Sequence, residues 1–209
     1  MQEVYGISRY EKSKYNGVLF LMREAHKGKE NMSLSDIEQG NKEWLCRVIH
    51  YHDDHNTHLN DGDKPSLISR YGNRFAEILK VLPIEDKSLE NIAYVNINPY
   101  GGGSSAGQKY REDLRSSEKF ETRMAEIFSR IPMEDTKFII TCKDVFDKLL
   151  SIDEIQKDKE GLKYKNGLVG RVGKKANEHI IYLEMIKHPC RSPAFDTGCM
   201  INLDWAIKS

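Results

Sequence analysis

The chain has 209 residues, of which 39% are hydrophobic and 31% charged, and its 32 basic side chains balance 32 acidic ones. That is enough chain for one well-filled domain and too apolar for a disordered one. The even charge argues against a protein that coats nucleic acid by bulk electrostatics, while leaving room for one with a local basic rim.

Reading from the amino terminus, Met1 to Lys14 is polar and lacks the apolar core of an export signal. The expected location is therefore the cytoplasm, and no apolar run is long enough to imply a membrane partner. Val18–Met22 is a tight apolar run that reads as a buried strand. Leu67, Tyr71, Phe75, Ile78 and Leu82 recur at helical spacing, behind Pro65 and Ser66 as start signals and before Pro83 as a stop. Ile92–Ile97 is the second expected strand. Ser105 to Arg130 is rich in charge and predicts a helix, with Leu114, Phe120, Met124, Ile127 and Phe128 for its buried stripe. Lys137–Thr141 is the third strand, and Asp144–Leu150 a short helix directly after it.

Ser151–Asn177 is charged and punctuated by glycine, with a turn-like Lys165-Asn166-Gly167, and predicts a loop or hairpin. Its Arg171, Lys174 and Lys175 would serve either as a rim facing DNA or as an ordinary solvated surface. His179–Met185 is the fourth strand. Strands alternating with helices predict an α/β fold, a three-layer α/β/α domain over residues 1–209 with a central, mostly parallel four-stranded sheet. The four cysteines, Cys46, Cys142, Cys190 and Cys199, have no metal-site spacing and read as reduced thiols.

Open parallel sheets place their sites at the carboxyl ends of the strands, and the chemically versatile residues cluster there. The first strand runs into Arg23-Glu24-Ala25-His26-Lys27. The second contains Asn96 and leads into Asn98-Pro99-Tyr100-Gly101-Gly102-Gly103-Ser104-Ser105. The fourth runs into His188-Pro189-Cys190-Arg191-Ser192.

In this order the three segments resemble the motifs of the uracil-DNA glycosylase superfamily. Leu21 to Glu30 is similar to its Gly-Glu-Ala-Pro-Gly motif through Glu24, Ala25 and Glu30, with Arg23, His26 and Lys27 departing from it. Tyr94-Val95-Asn96 is similar to the strand whose asparagine reads a flipped base. His188-Pro189 is similar to the start of the motif that carries a catalytic histidine, with Cys190 where serine is usual. The resemblance implies a monofunctional DNA glycosylase that acts on uracil or a modified pyrimidine and leaves an abasic site. Glu24 and His188 would be catalytic. Asn96, Ala25, His26, Lys27, Tyr100 and Trp44 would meet the base, and Ser104, Ser105, Lys109, Arg191 and Ser192 the DNA strand. DNA is the expected partner of a monomer, and no metal or organic cofactor is required.

The chemistry of these residues is consistent with that role. Breaking a base–sugar bond builds positive charge on the sugar and negative charge on the base. A donor such as His188, aimed at the departing base, is worth about 3–4 kcal/mol. A carboxylate such as Glu24 can activate water and favour the cationic sugar. An amide such as Asn96 offers both a donor and an acceptor to a pyrimidine edge, and Tyr100 or Trp44 could stack on it.

The rival reading is a zinc-dependent hydrolase, because His50, His52, Asp54 and His55 fit a His-x-His-x-Asp-His string able to bind metal. Against it, the preceding Lys42–Ile49 has helical spacing where such a motif follows a strand. A catalytically inactive DNA-binding relative is the third reading.

Overall fold

The apolar run behind Gly17 forms β1 (Val18–Glu24), an interior strand of the sheet in a computed structural model. The structure describes residues 14–24, 67–98, 116–152, 155–157, 169–175 and 178–185. The other elements follow in chain order as α1 (Leu67–Val81), β2 (Ala93–Asn98), α2 (Ser117–Phe128), β3 (Phe138–Cys142), α3 (Lys143–Ile152), β4 (Ile155–Lys157), β5 (Val169–Lys175) and β6 (Ile181–Met185). The fold is mixed α/β around a mostly parallel sheet.

Among the described residues the sheet has six strands, in the order β2-β1-β3-β6-β5-β4. β2, β1, β3 and β6 are mutually parallel, and they are the four strands expected from the sequence. The expected count of four falls short because 151–177 contributes two more strands. β4 pairs antiparallel with β5, and β5 antiparallel with β6, so the hairpin option holds for this charged segment. The expected turn at Lys165-Asn166-Gly167 lies outside the described residues.

Strand alternation divides the core in two. Val18, Phe20, Met22, Tyr94, Ile140 and Leu183 lie on one face with Phe75, Ile78, Leu79 and Leu82 of α1. Leu19, Leu21, Val95, Ile139 and Tyr182 lie on the other with Phe120, Met124 and Ile127 of α2 and Val145, Phe146 and Leu149 of α3. Each fully buried side chain of this size stabilises the fold by about 1.5–3 kcal/mol. The Phe20 and Phe75 rings pack with centroids 4.0 Å apart.

The division follows from connectivity. The chain moves one way across the sheet from β1 to β2 and the other way from β2 to β3, so right-handed crossovers must cover opposite faces. α1 ends before Pro83, as its spacing predicts, and α2 starts at the cap Ser116, whose hydroxyl accepts from Lys119 N. Among the described residues no helix is long and apolar enough to cross a membrane.

The start of β1 is fastened to the starts of both neighbours. Asn16 Nδ2 donates to the carbonyls of Asp86 and Ser88 at 3.2 Å each, and its Oδ1 accepts from Val18 N at 3.1 Å. The Gly17 carbonyl accepts from Lys137 N at 2.8 Å and Phe138 N at 3.0 Å. Gly17 has φ of 85°, a conformation that other residues rarely adopt.

Candidate functional site

The parallel strands bring their carboxyl ends to one edge of the sheet. Connections leave β1 toward β2 and β3 toward β6, on opposite sides, so strand order reverses between β1 and β3. At such a reversal the loops diverge and leave a crevice, the usual ligand position in this kind of sheet.

Glu24 is the last residue of β1, and its Cα partner across the β1–β2 ladder is Asn98. Asn96 partners Met22, one alternate position earlier. Positions 24, 96 and 98 therefore share the sheet face of Met22 and Tyr94. From strand spacing and rise, the Cα atoms of Glu24 and Asn96 are about 8 Å apart. The first two segments singled out in the sequence, some seventy residues apart in the chain, thus meet side by side. β6 ends at Met185, on the same edge and beyond β3. His188 follows it in the chain and lies outside the described residues, as do Ala25, His26, Lys27, Trp44, Tyr100, Ser104, Ser105, Lys109, Arg191 and Ser192. The same holds for His50, His52, Asp54 and His55 of the metal reading. Among the described residues no cluster of His, Cys, Asp or Glu could hold a metal ion.

Asn96 is buried, with 2% of its surface exposed. A buried amide needs partners, and the Tyr94 hydroxyl donates to its Oδ1 at 3.0 Å. Tyr94 lies two residues earlier on the same strand face and is itself buried. Its ring stands 6.0 Å from that of Phe75 on α1. The amide is thus braced by a strand neighbour that a helix residue packs against. Sequence reading placed Tyr94 in the same motif as Asn96 but gave it no role, although the i, i+2 spacing that puts both on one face was legible.

Arg123 also escaped that reading. It reaches from α2 to the end of β2, where its Nε donates to the Ile97 carbonyl at 2.9 Å, and its Nη1 pairs with Glu126. Nothing in a charged helix sequence distinguishes this arginine from a solvated one.

Arg171, one of the three basic residues read as either a DNA-facing rim or a solvated surface, is held by contacts within the fold. Its Nε donates to Glu184 on β6, its Nη2 lies 2.7 Å from Asp147 Oδ1 on α3, and its guanidinium stands 4.9 Å from the Phe146 ring centroid. The hydrogen bond to Glu184 raises the pKa of this guanidinium, against a smaller opposing effect of burial. It fastens the β5 edge to α3. The sequence held no sign of this, because its partners are 13 and 24 residues away.

In comparisons with protein-family models, curated proteins and solved structures, nothing matches this chain. The candidate site therefore consists of what the sheet brings together: Glu24 beside Asn98, a braced and buried Asn96, and a strand-order reversal next to them.

Proposed function

We propose that the protein is a monofunctional DNA glycosylase of the uracil-DNA glycosylase type, acting as a monomer in the cytoplasm on uracil or a C5-substituted pyrimidine. In this reading the four parallel strands, with helices on both faces, form a three-layer core to which the β4–β5 hairpin is an addition. The observation that carries the proposal is the ladder register that sets Glu24 opposite Asn98 and one alternate position from Asn96. The two segments that resemble the family's first motifs come together at the sheet edge where chemistry is expected.

The proposed reaction begins with a pyrimidine flipped out of the stack, its edge read by Asn96. Glu24 takes a proton from water, and the water oxygen bonds to C1′ of the deoxyribose as the C1′–N bond breaks. The bond's electrons leave on the base, whose developing negative charge receives a hydrogen bond from His188. The base anion takes up a proton to leave as the free base, Glu24 gives its proton to solvent, and the other product is an abasic site. Ser104, Ser105, Lys109, Arg191 and Ser192 would hold the flanking strand.

The test is incubation with duplexes carrying single modified bases, followed by alkaline cleavage at abasic sites. His188→Ala should slow base release by about tenfold or more, since it removes an oxyanion-type donor. Glu24→Gln should slow it in protein that remains folded. Full activity in both variants overturns the residue roles, and no release by the parent protein from any duplex overturns the enzyme reading.

A further inference from the structure

β2 is the terminal strand of the sheet order, so among the described residues no further strand stands beyond it. Its carboxyl end carries both asparagines of the candidate site, and the residue between them is Ile97. The donor for the Ile97 carbonyl is Arg123 Nε at 2.9 Å, delivered from α2 across 26 residues of chain. Side chains on a helix lean toward its amino terminus. α2 follows a parallel strand and returns antiparallel to it, so this lean aims Arg123 toward the carboxyl edge of the sheet.

The other guanidinium nitrogens show how this arginine is used. Nη1 meets Glu126, one turn along the same helix, which steadies the side chain. Nη2 is buried and, among the described residues, has no hydrogen-bond partner. A buried donor left unmet is costly, so Arg123 is a poor choice for stability alone. What an apolar side chain could not supply is the bond to Ile97.

We infer that Arg123 is a positioning residue of the candidate site, holding the carboxyl end of β2 through the Ile97 carbonyl so that Asn96 and Asn98 keep their place against Glu24. The inference rests on the glycosylase reading above. Arg123 does not touch the base. It sets the strand that does, and displacement of a reading group by about 1 Å can cost a hundredfold in rate.

The experiment compares Arg123→Met and Arg123→Lys with the parent protein, measuring kcat and KM for base release and the melting temperature of each. Methionine fills similar space without a donor, whereas lysine can still donate to the Ile97 carbonyl. The expected result is a kcat about tenfold lower in Arg123→Met with KM nearly unchanged, and recovery of most of that loss in Arg123→Lys. A lowered melting temperature with unchanged kcat in Arg123→Met overturns the inference, and so does a lysine variant as slow as the methionine one. Should Arg123→Met fail to fold, Arg123→Leu replaces it, since it too has no donor for the carbonyl, and the same outcomes apply. Absence of base release by the parent protein overturns the glycosylase reading itself. Release with insensitivity to Arg123 overturns only this inference.

Discussion

The Tyr94 hydroxyl donates a 3.0 Å hydrogen bond to Asn96 Oδ1, and both residues are buried on the same face of β2. One lone pair of that amide oxygen is thereby committed to the protein, and the amide is turned in a definite sense. A base-reading asparagine needs such a brace, because an amide free to flip presents donor and acceptor in either order.

Two substitutions separate the brace from the reader. Tyr94→Phe keeps the ring beside Phe75 and removes only the hydroxyl, so it should cost about 1 kcal/mol of stability. It should also weaken discrimination among pyrimidine edges more than it slows the preferred one. Asn96→Asp replaces an amide donor by an acceptor and should change which edge is accepted. Base release from uracil and cytosine derivatives measures both, beside thermal melts. Unchanged preference in both variants would give the pair a structural role only.

At the opposite edge of the sheet, Gly17 is a site of pure architecture. Its φ of 85° is unfavourable for any other L-residue, and a Cβ there would lie 2.8 Å from the Asp135 carbonyl oxygen. Gly17→Ala therefore combines backbone strain with a clash against main chain. The expected loss is about 1–3 kcal/mol, visible as a lower denaturation midpoint. Since Gly17 is far along β1 from Glu24, kcat of the folded fraction should stay at the parent value.

Much of this architecture was legible in the sequence. The four parallel strands and three helices each had a local signal: Val18–Met22 as an apolar run, Phe75, Ile78 and Leu82 at helical spacing, Pro83 as a stop. Most boundaries moved by one or two residues, as at β1, which runs on to Glu24, whereas the helix expected over Ser105–Arg130 starts only at Ser117. The two extra strands were harder to foresee. Val169–Lys175 contains two glycines and three basic residues and pairs only because β6 offers it an edge. Asn96 stood out as a polar residue inside an apolar strand. Arg123 did not, and the partners of Arg171 could not be foreseen, because an arginine's partner is set by tertiary contact and leaves no trace at neighbouring positions.

Thr141 offers a test of the core that is independent of catalysis. It sits on β3 between Leu21 and Glu184 in the ladder, fully buried, and among the described residues its hydroxyl has no hydrogen-bond partner. A buried hydroxyl without a partner costs about 1–3 kcal/mol. Thr141→Val keeps the branched shape and replaces the hydroxyl by a methyl group. The variant should be more stable by about 1 kcal/mol, read as a raised midpoint in urea. A loss of stability would mean that the hydroxyl has a partner in solution, such as a buried water.

The substrate prediction follows from the residues that would surround a flipped base. Uracil enzymes of the family resembled here exclude a C5 substituent with a bulky aromatic in the first motif. In register with Glu24 and Ala25, that place is held here by Lys27, followed by Gly28. A lysine stem can swing aside with its charge in water, and glycine has no side chain, so the pocket would be open at C5. His26, Lys27 and Ser104 offer polar groups that suit a hydroxylated substituent better than a methyl group, and hypermodified phage cytosines carry substituents of that kind. The expected order of release from matched duplexes is 5-hydroxymethylcytosine or its glucosylated form ahead of uracil. Lys27→Phe should close the open side and restore the ordinary preference, lowering release of the modified base by about tenfold, a difference of about 1.4 kcal/mol, while sparing uracil. If the parent protein releases uracil alone, Lys27 does not open the pocket, and the substrate is the plain base.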